Sequence, residues 1–148
     1  MELVVFTGLQ GAGKSTFYRQ HFAATHAHVS KDLFPNARKP NARQERLIRE
    51  AAAEGRSVVV DNTNATVETR AALIALGREL GMEVVGYAFE AEAKACYERN
   101  AARQGRARVP DVGFFATLKQ LTLPTKAEGF DRLYRVRLVD GQFEVSPM

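Results

Sequence analysis

The 148 residues include 21 Lys and Arg against 17 Asp and Glu, for a formal charge of +4 and a pI near 9.5, with 45% apolar and 26% charged residues. That length and apolar content suit a single globular α/β domain, and no apolar run is long enough to cross a bilayer, so no membrane partner is expected. The only cysteine, Cys96, excludes an internal disulfide, and the N-terminus lacks a secretory leader, so an intracellular, cytoplasmic setting is expected.

Leu3 to Phe6 forms a short β-branched and aromatic run that predicts a buried strand, and Phe17 to Ala24 predicts a helix. Between them lies Gly8-Leu9-Gln10-Gly11-Ala12-Gly13-Lys14-Ser15-Thr16, which fits G-x-x-x-x-G-K-[ST]. Glycines let main-chain amides turn toward an anion, and the helix that follows adds its positive end. Gly8, Gln10, Gly11, Ala12, Gly13, Lys14, Ser15 and Thr16 are therefore the candidate ATP-binding residues. Lys14 is expected at the β- and γ-phosphates, Ser15 at Mg²⁺ and Thr16 near the α-phosphate.

Ala27 to Ser30 predicts a second strand, ending at Lys31-Asp32, and Leu33 to Pro40 a loop. Asn41 with Gln44 resembles a helix start, and Leu47, Ile48, Ala51 and Ala52 form that helix's apolar face before Gly55. Ser57 to Val60 is a third strand, delivering Asp61-Asn62-Thr63-Asn64. Leu73, Leu76, Gly77 and Leu80 mark an amphipathic helix that stops at Gly81. Glu83 to Phe89 predicts the fourth strand and Ala91 to Arg103 the next helix. The basic loop Gln104 to Pro110 leads to a short helix from Asp111 to about Gln120. Leu133 to Val139 is the last long strand, and Asp140-Gly141 turns the chain into Gln142 to Val145.

This alternation predicts a parallel sheet with helices on its faces, and in such sheets ligands bind at the carboxyl ends of the strands. The phosphate loop, Asp32 and Asp61 through Asn64 then share one rim. A hydroxyl that attacks a γ-phosphate needs a carboxylate to take its proton, which assigns Asp32 as general base and Asp61, with Ser15, to the metal. Arg99, Arg103, Arg106 and Arg108 crowd one segment. Arg103 and then Arg99 are the candidates for neutralising charge on the transferred phosphoryl group. Arg38, Lys39, Arg43, Arg46 and Arg49 form a second basic group, suited equally to a nucleic-acid backbone or to a solvated helix face. His26 and His28 alternate on one strand and read as surface or internally satisfied histidines.

Gly8 to Phe17, Val29-Ser30-Lys31-Asp32, Val58 to Asn64, Arg99-Asn100 with Arg103, Val109-Pro110, and Leu123-Pro124-Thr125 through Glu128-Gly129-Phe130 together resemble the kinase domain of polynucleotide 5′-hydroxyl kinases. The kinase half of the animal bifunctional end-healing enzymes is the nearest in pattern. The resemblance spans nearly the whole chain. It implies an adenylate-kinase-like, three-layer P-loop fold with a short arginine-bearing lid, moving the γ-phosphate of ATP to a 5′-hydroxyl end of DNA or RNA. By position it implies Asp32 as base, Lys14 and Ser15 as phosphate and metal groups, Arg103 as lid arginine, and Asn62, Thr63 and Asn64 as residues that support the site or its acceptor.

Pro35 stands where some members carry an arginine for the acceptor's 3′-phosphate, with Arg38 or Lys39 the nearest substitutes. No D-x-D-x-[TV] phosphatase motif is present, so 3′-end processing is not expected. Related single-domain kinases act on small molecules, which keeps a sugar, antibiotic or nucleotide-sugar acceptor as the alternative. A nucleotide-driven switch is the third reading, weakened by the absence of N-K-x-D.

Overall fold

Val58, Val59 and Val60 are all fully buried, as a strand covered on both faces requires. The computed structural model describes residues 1–148. Six strands, β1 (Glu2–Thr7), β2 (His26–Val29), β3 (Ser57–Val60), β4 (Glu83–Phe89), β5 (Arg132–Val139) and β6 (Gln142–Pro147), form one sheet in the order β2-β3-β1-β4-β5-β6. All pairings are parallel except β5 with β6.

Five helices flank it: α1 (Lys14–His21), α2 (Pro40–Ala53), α3 (Val67–Glu79), α4 (Ala93–Ala101) and α5 (Asp111–Gln120). Strand alternation sorts the core into two layers. Leu3, Val5, Val58, Val60 and Val84 pack with Ile48 of α2 and Leu73, Ile74 and Leu76 of α3. Val4, Phe6, Val59, Val85 and Phe89 pack with Phe17 of α1, Phe22, Cys96 of α4 and Phe114 of α5. The expected three-layer α/β/α fold is thus present.

Local differences from the sequence reading have local causes. α1 starts at Lys14 rather than Phe17, because Gly13, at φ 94°, turns the phosphate loop straight into the helix. α2 starts at Pro40, whose fixed φ suits the first turn, and no side chain caps it. Gln44 is buried instead of closing a cap with Asn41. α4 is shorter than expected, spanning Ala93–Ala101. Asp140 and Gly141, at φ 50° and 76°, make the left-handed pair that a tight hairpin demands, and β6 folds back antiparallel on β5.

The sheet order matters for the site. β1 lies between β3 and β4, with Val5 opposite Val60 and Gly86. The loop after β1 therefore emerges beside Asp61, at the point where successive connections leave toward opposite faces.

Candidate active site

The phosphate loop is held at both ends and underneath. Gly8 N donates to Thr63 O (3.0 Å), and Ala12 N to Leu9 O (3.2 Å). Gly11 has φ 82°, and a Cβ there would lie 2.4 Å from the main-chain oxygen of Cys96, so a side chain at this position has neither the conformation nor the space. The Lys14 ammonium is buried, donating to Gly8 O (3.0 Å) and Leu9 O (2.7 Å). Burial lowers its pKa to about 8; the negative charges of Asp61 and Asp32 oppose that shift, and the positive charge of Arg103 adds to it. The two candidate carboxylates and Arg103 are thus within electrostatic reach of the loop's lysine. Thr16 is exposed, its hydroxyl accepting from Arg19 Nη2 (3.2 Å).

Asp61, only 4% exposed, follows β3 and is fixed by its own amide, which donates to Val29 O (2.8 Å). Its Oδ2 accepts from Ser15 Oγ (2.8 Å) and also meets His28 Nε2 (2.8 Å). Two hard oxygen groups, a hydroxyl and a carboxylate, thus stand together beside the phosphate loop, a donor set that fits Mg²⁺. His28 is satisfied, as expected, but its partner is a site carboxylate. His26 meets Glu2 Oε1 (2.9 Å).

Asp32 lies in a single 3₁₀ turn, Lys31–Leu33, directly after β2. Its amide donates to Ser30 Oγ (3.3 Å), and the Lys31 amide donates to Asn62 Oδ1 (2.9 Å). Asn62 Nδ2 in turn donates to Gln44 Oε1 (2.7 Å), tying this turn to α2. The backbone is pinned while the Asp32 carboxylate stays exposed, with no side-chain partner.

Asn64 (φ 42°) is buried, and its amide donates to Phe6 O (2.7 Å) and Val60 O (3.4 Å). From this buried position it clamps β1 to β3. Thr63 contributes the carbonyl that receives Gly8 N. Beneath them lies a residue that the sequence reading passed over. Arg70, 0% exposed, donates from Nε to Glu128 Oε1 (2.7 Å) and from Nη2 to Glu128 Oε2 (3.1 Å). Its Nη1 also donates to Asn64 O and Thr122 O, both at 2.9 Å. One guanidinium thus joins the Asp61–Asn64 and Leu123–Phe130 motifs. The available signal was spacing: Arg70, Leu73, Ile74 and Gly77 fall on one face of α3.

The arginines divide by position. Arg99, on α4, donates from Nε to Gly11 O and so touches the phosphate loop directly. Arg103 is exposed, with only a long contact from Nη1 to Ala107 O (3.5 Å). Asn100, buried, exchanges hydrogen bonds with both main-chain groups of Val109 (2.8 and 3.0 Å), which anchors the loop carrying Arg106 and Arg108. Gln10 reaches over to Thr117 Oγ1 of α5 (3.0 Å). Beyond Asp32, a cleft of about 340 Å³ is lined by Ala37, Arg38, Lys39, Ala42, Arg43 and Arg46, without a carboxylate in its wall. The Arg43 guanidinium lies over the Phe34 ring (5.1 Å), linking this cleft to the Asp32 turn.

A family model described as an AAA domain matches residues 3–124. The bifunctional polynucleotide phosphatase/kinase of Schizosaccharomyces pombe is 25% identical over 139 residues, covering 91% of this chain and 33% of that protein, so the chain spans about a third of its relative's length. The Chaetomium thermophilum Kti12 structure in complex with ADP-AlF3 superposes with a TM-score of 0.75 at 17% identity, over 93% of this chain and 90% of that one. A gluconokinase from Sinorhizobium meliloti 1021 gives 0.62 at 20% identity, over 94% and 83%. No helix is long and apolar enough to cross a membrane. With a family model matched over most of its length and the phosphate loop, strand order and flanking helices of a P-loop kinase fold, the chain belongs to the AAA domain family.

Proposed function

We propose that this domain transfers the γ-phosphate of ATP to the 5′-hydroxyl end of a polynucleotide. The observations that support the reading are an exposed Asp32 carboxylate whose charge bears on Lys14 of the phosphate loop, and a cleft lined by Arg38, Lys39, Arg43 and Arg46 that meets the Asp32 turn where Arg43 lies over Phe34. An exposed carboxylate can take the proton of an incoming hydroxyl, and a cleft lined by four cations suits an acceptor that carries its own phosphates. The S. pombe relative, named as a polynucleotide phosphatase/kinase, supports the same acceptor.

In this reading the loop amides and Lys14 hold the triphosphate, and Arg99 and Arg103 approach it from α4 and its following loop. Ser15 and Asp61 would hold Mg²⁺, which when bound neutralises phosphate charge. Asp32 accepts the proton from the attacking oxygen, and Asn62 keeps its turn in place.

Incubation with γ-labelled ATP and a 5′-hydroxyl oligonucleotide should transfer label to the oligonucleotide, and Arg43→Ala with Arg46→Ala should raise the oligonucleotide KM while leaving the ATP KM unchanged. The gluconokinase likeness makes a small polyol the natural comparison acceptor. Efficient labelling of gluconate with none on the oligonucleotide would overturn the nucleic-acid reading.

The buried lysine adds a pH dependence. With a pKa of about 8 in the free protein, Lys14 is charged below that pH and increasingly neutral above it. Bound phosphates favour the ammonium, so above pH 8 binding must take up a proton. ATP affinity should therefore be level below pH 8 and fall above it, approaching about tenfold per pH unit for one linked proton. Calorimetric titration between pH 7 and 9.5 measures this, and an affinity that stays constant across that range would contradict it.

A further inference from the structure

We infer that His28 is a positioning residue for the metal-binding carboxylate, an inference that rests on the assignment of Ser15 and Asp61 to a divalent cation. Both side-chain contacts of Asp61 fall on one oxygen, Oδ2: Ser15 Oγ at 2.8 Å and His28 Nε2 at 2.8 Å. The other oxygen has no side-chain partner. The two contacts differ in what happens when a cation arrives. Ser15 is itself a ligand, so its hydroxyl must present its oxygen to the ion and release Asp61 as a hydrogen-bond acceptor. His28 is not a ligand, and its Nε2–H keeps its hold on Oδ2 throughout.

The histidine is built to stay still. It lies on β2 opposite Val59 of β3, one residue before the Val29 carbonyl that accepts the Asp61 amide. Its ring is stacked on Tyr18 of α1, with centroids 3.9 Å apart and planes 14° apart. Tyr18 is in turn fixed by its hydroxyl, which donates to His26 O (2.6 Å). A ring held by a strand on one edge and an aromatic face on another is a rigid donor. A carboxylate anchored by such a donor needs no reordering to meet the ion. Partners of this kind commonly contribute ten- to a hundredfold in metal affinity.

Two substitutions separate the donor from the packing. His28→Phe keeps a ring to stack on Tyr18 but removes the N–H, whereas His28→Gln keeps an N–H of similar reach and loses the ring. The probe is Mn²⁺, titrated in the presence of ADP and followed by the free-ion electron paramagnetic resonance signal, so no phosphoryl transfer is needed. His28→Phe should bind Mn²⁺ about ten- to a hundredfold more weakly than the parent. His28→Gln should stay near the parent value, and both should bind metal-free ADP like the parent. His28→Leu supplies a second donor-less variant should the phenylalanine fail to fold.

Mn²⁺ affinity unchanged in the donor-less variants, or lost equally in His28→Gln, would overturn the inference. A parent protein that takes up no Mn²⁺ with ADP would overturn it together with the Ser15–Asp61 assignment. Labelling of an unexpected acceptor would count against the polynucleotide reading alone.

Discussion

Asp32→Asn should lower turnover by roughly two to four orders of magnitude, the usual contribution of a positioned general base. ATP affinity should be nearly unchanged, and steady-state kinetics beside direct nucleotide titration separates the two quantities. The expectation follows from how the residue is held. Its main chain is fixed through Ser30 Oγ and, one residue earlier, through Asn62 Oδ1, but its carboxylate is exposed and bonded to no side chain. Nothing structural depends on its charge. The triphosphate site is built from other residues, chiefly the loop amides and Lys14. Replacing one oxygen by an amide nitrogen keeps the shape and removes the proton acceptor. Unchanged turnover would make Asp32 a turn residue, and lost ATP affinity would move it into the nucleotide or metal site.

Arg70→Ala should destabilise the fold by about 3–5 kcal/mol, the scale seen when one partner of a buried ion pair is removed. The guanidinium is fully buried, makes a two-pronged contact with Glu128 and satisfies the carbonyls of Asn64 and Thr122. Its loss strands a carboxylate that is itself only 9% exposed, together with two main-chain acceptors. Against a typical domain stability of about 5–15 kcal/mol that is a large share, so denaturant unfolding reads it directly. Arg70→Met combined with Glu128→Leu should cost less than Arg70→Ala alone, because no unpaired charge is then left behind. A loss below about 1 kcal/mol for Arg70→Ala would mean that the pair does not hold the two motifs together.

The contrast between these two residues shows what a sequence can disclose. The turn that carries Asp32 was legible because it lies between the second strand and the proline-bearing stretch Leu33 to Pro40, and strand ends in a parallel sheet are where ligands bind. The phosphate loop was legible because all its parts lie within one short stretch of chain. Arg70 carries only the weak local signal of sharing a face with Leu73, Ile74 and Gly77, while the partners that give it its role, Thr122 and Glu128, lie more than fifty residues away. His28 is similar: its role depends on β2 pairing with β3, which brings it next to Asp61. Gln44 resembled a capping residue because its spacing from Asn41 is right, yet Pro40 starts the helix and the amide is drawn inward to Asn62. Asn64 stood in the D-N-T-N motif by sequence, and in the structure its amide clamps β1 to β3.

The arginines show a further limit. Arg99 and Arg103 occupy one helix face by spacing, and pattern alone ranked Arg103 first. Only the packing of Gly11 against α4 shows that Arg99 already touches the phosphate loop, while Arg103 is unengaged. A group meant to close over a substrate has few contacts before that substrate arrives, so the exposure of Arg103 is compatible with a lid role.

The most direct measurement is a crystal structure with a non-hydrolysable ATP analogue and a 5′-hydroxyl oligonucleotide. The oligonucleotide's 5′ oxygen should lie within about 2.6–3.2 Å of the Asp32 carboxylate and face the terminal phosphorus, with its own phosphates along Arg38, Arg43 and Arg46. An Asp32 carboxylate turned away from both the analogue and the hydroxyl, or an oligonucleotide bound elsewhere on the molecule, would contradict the account.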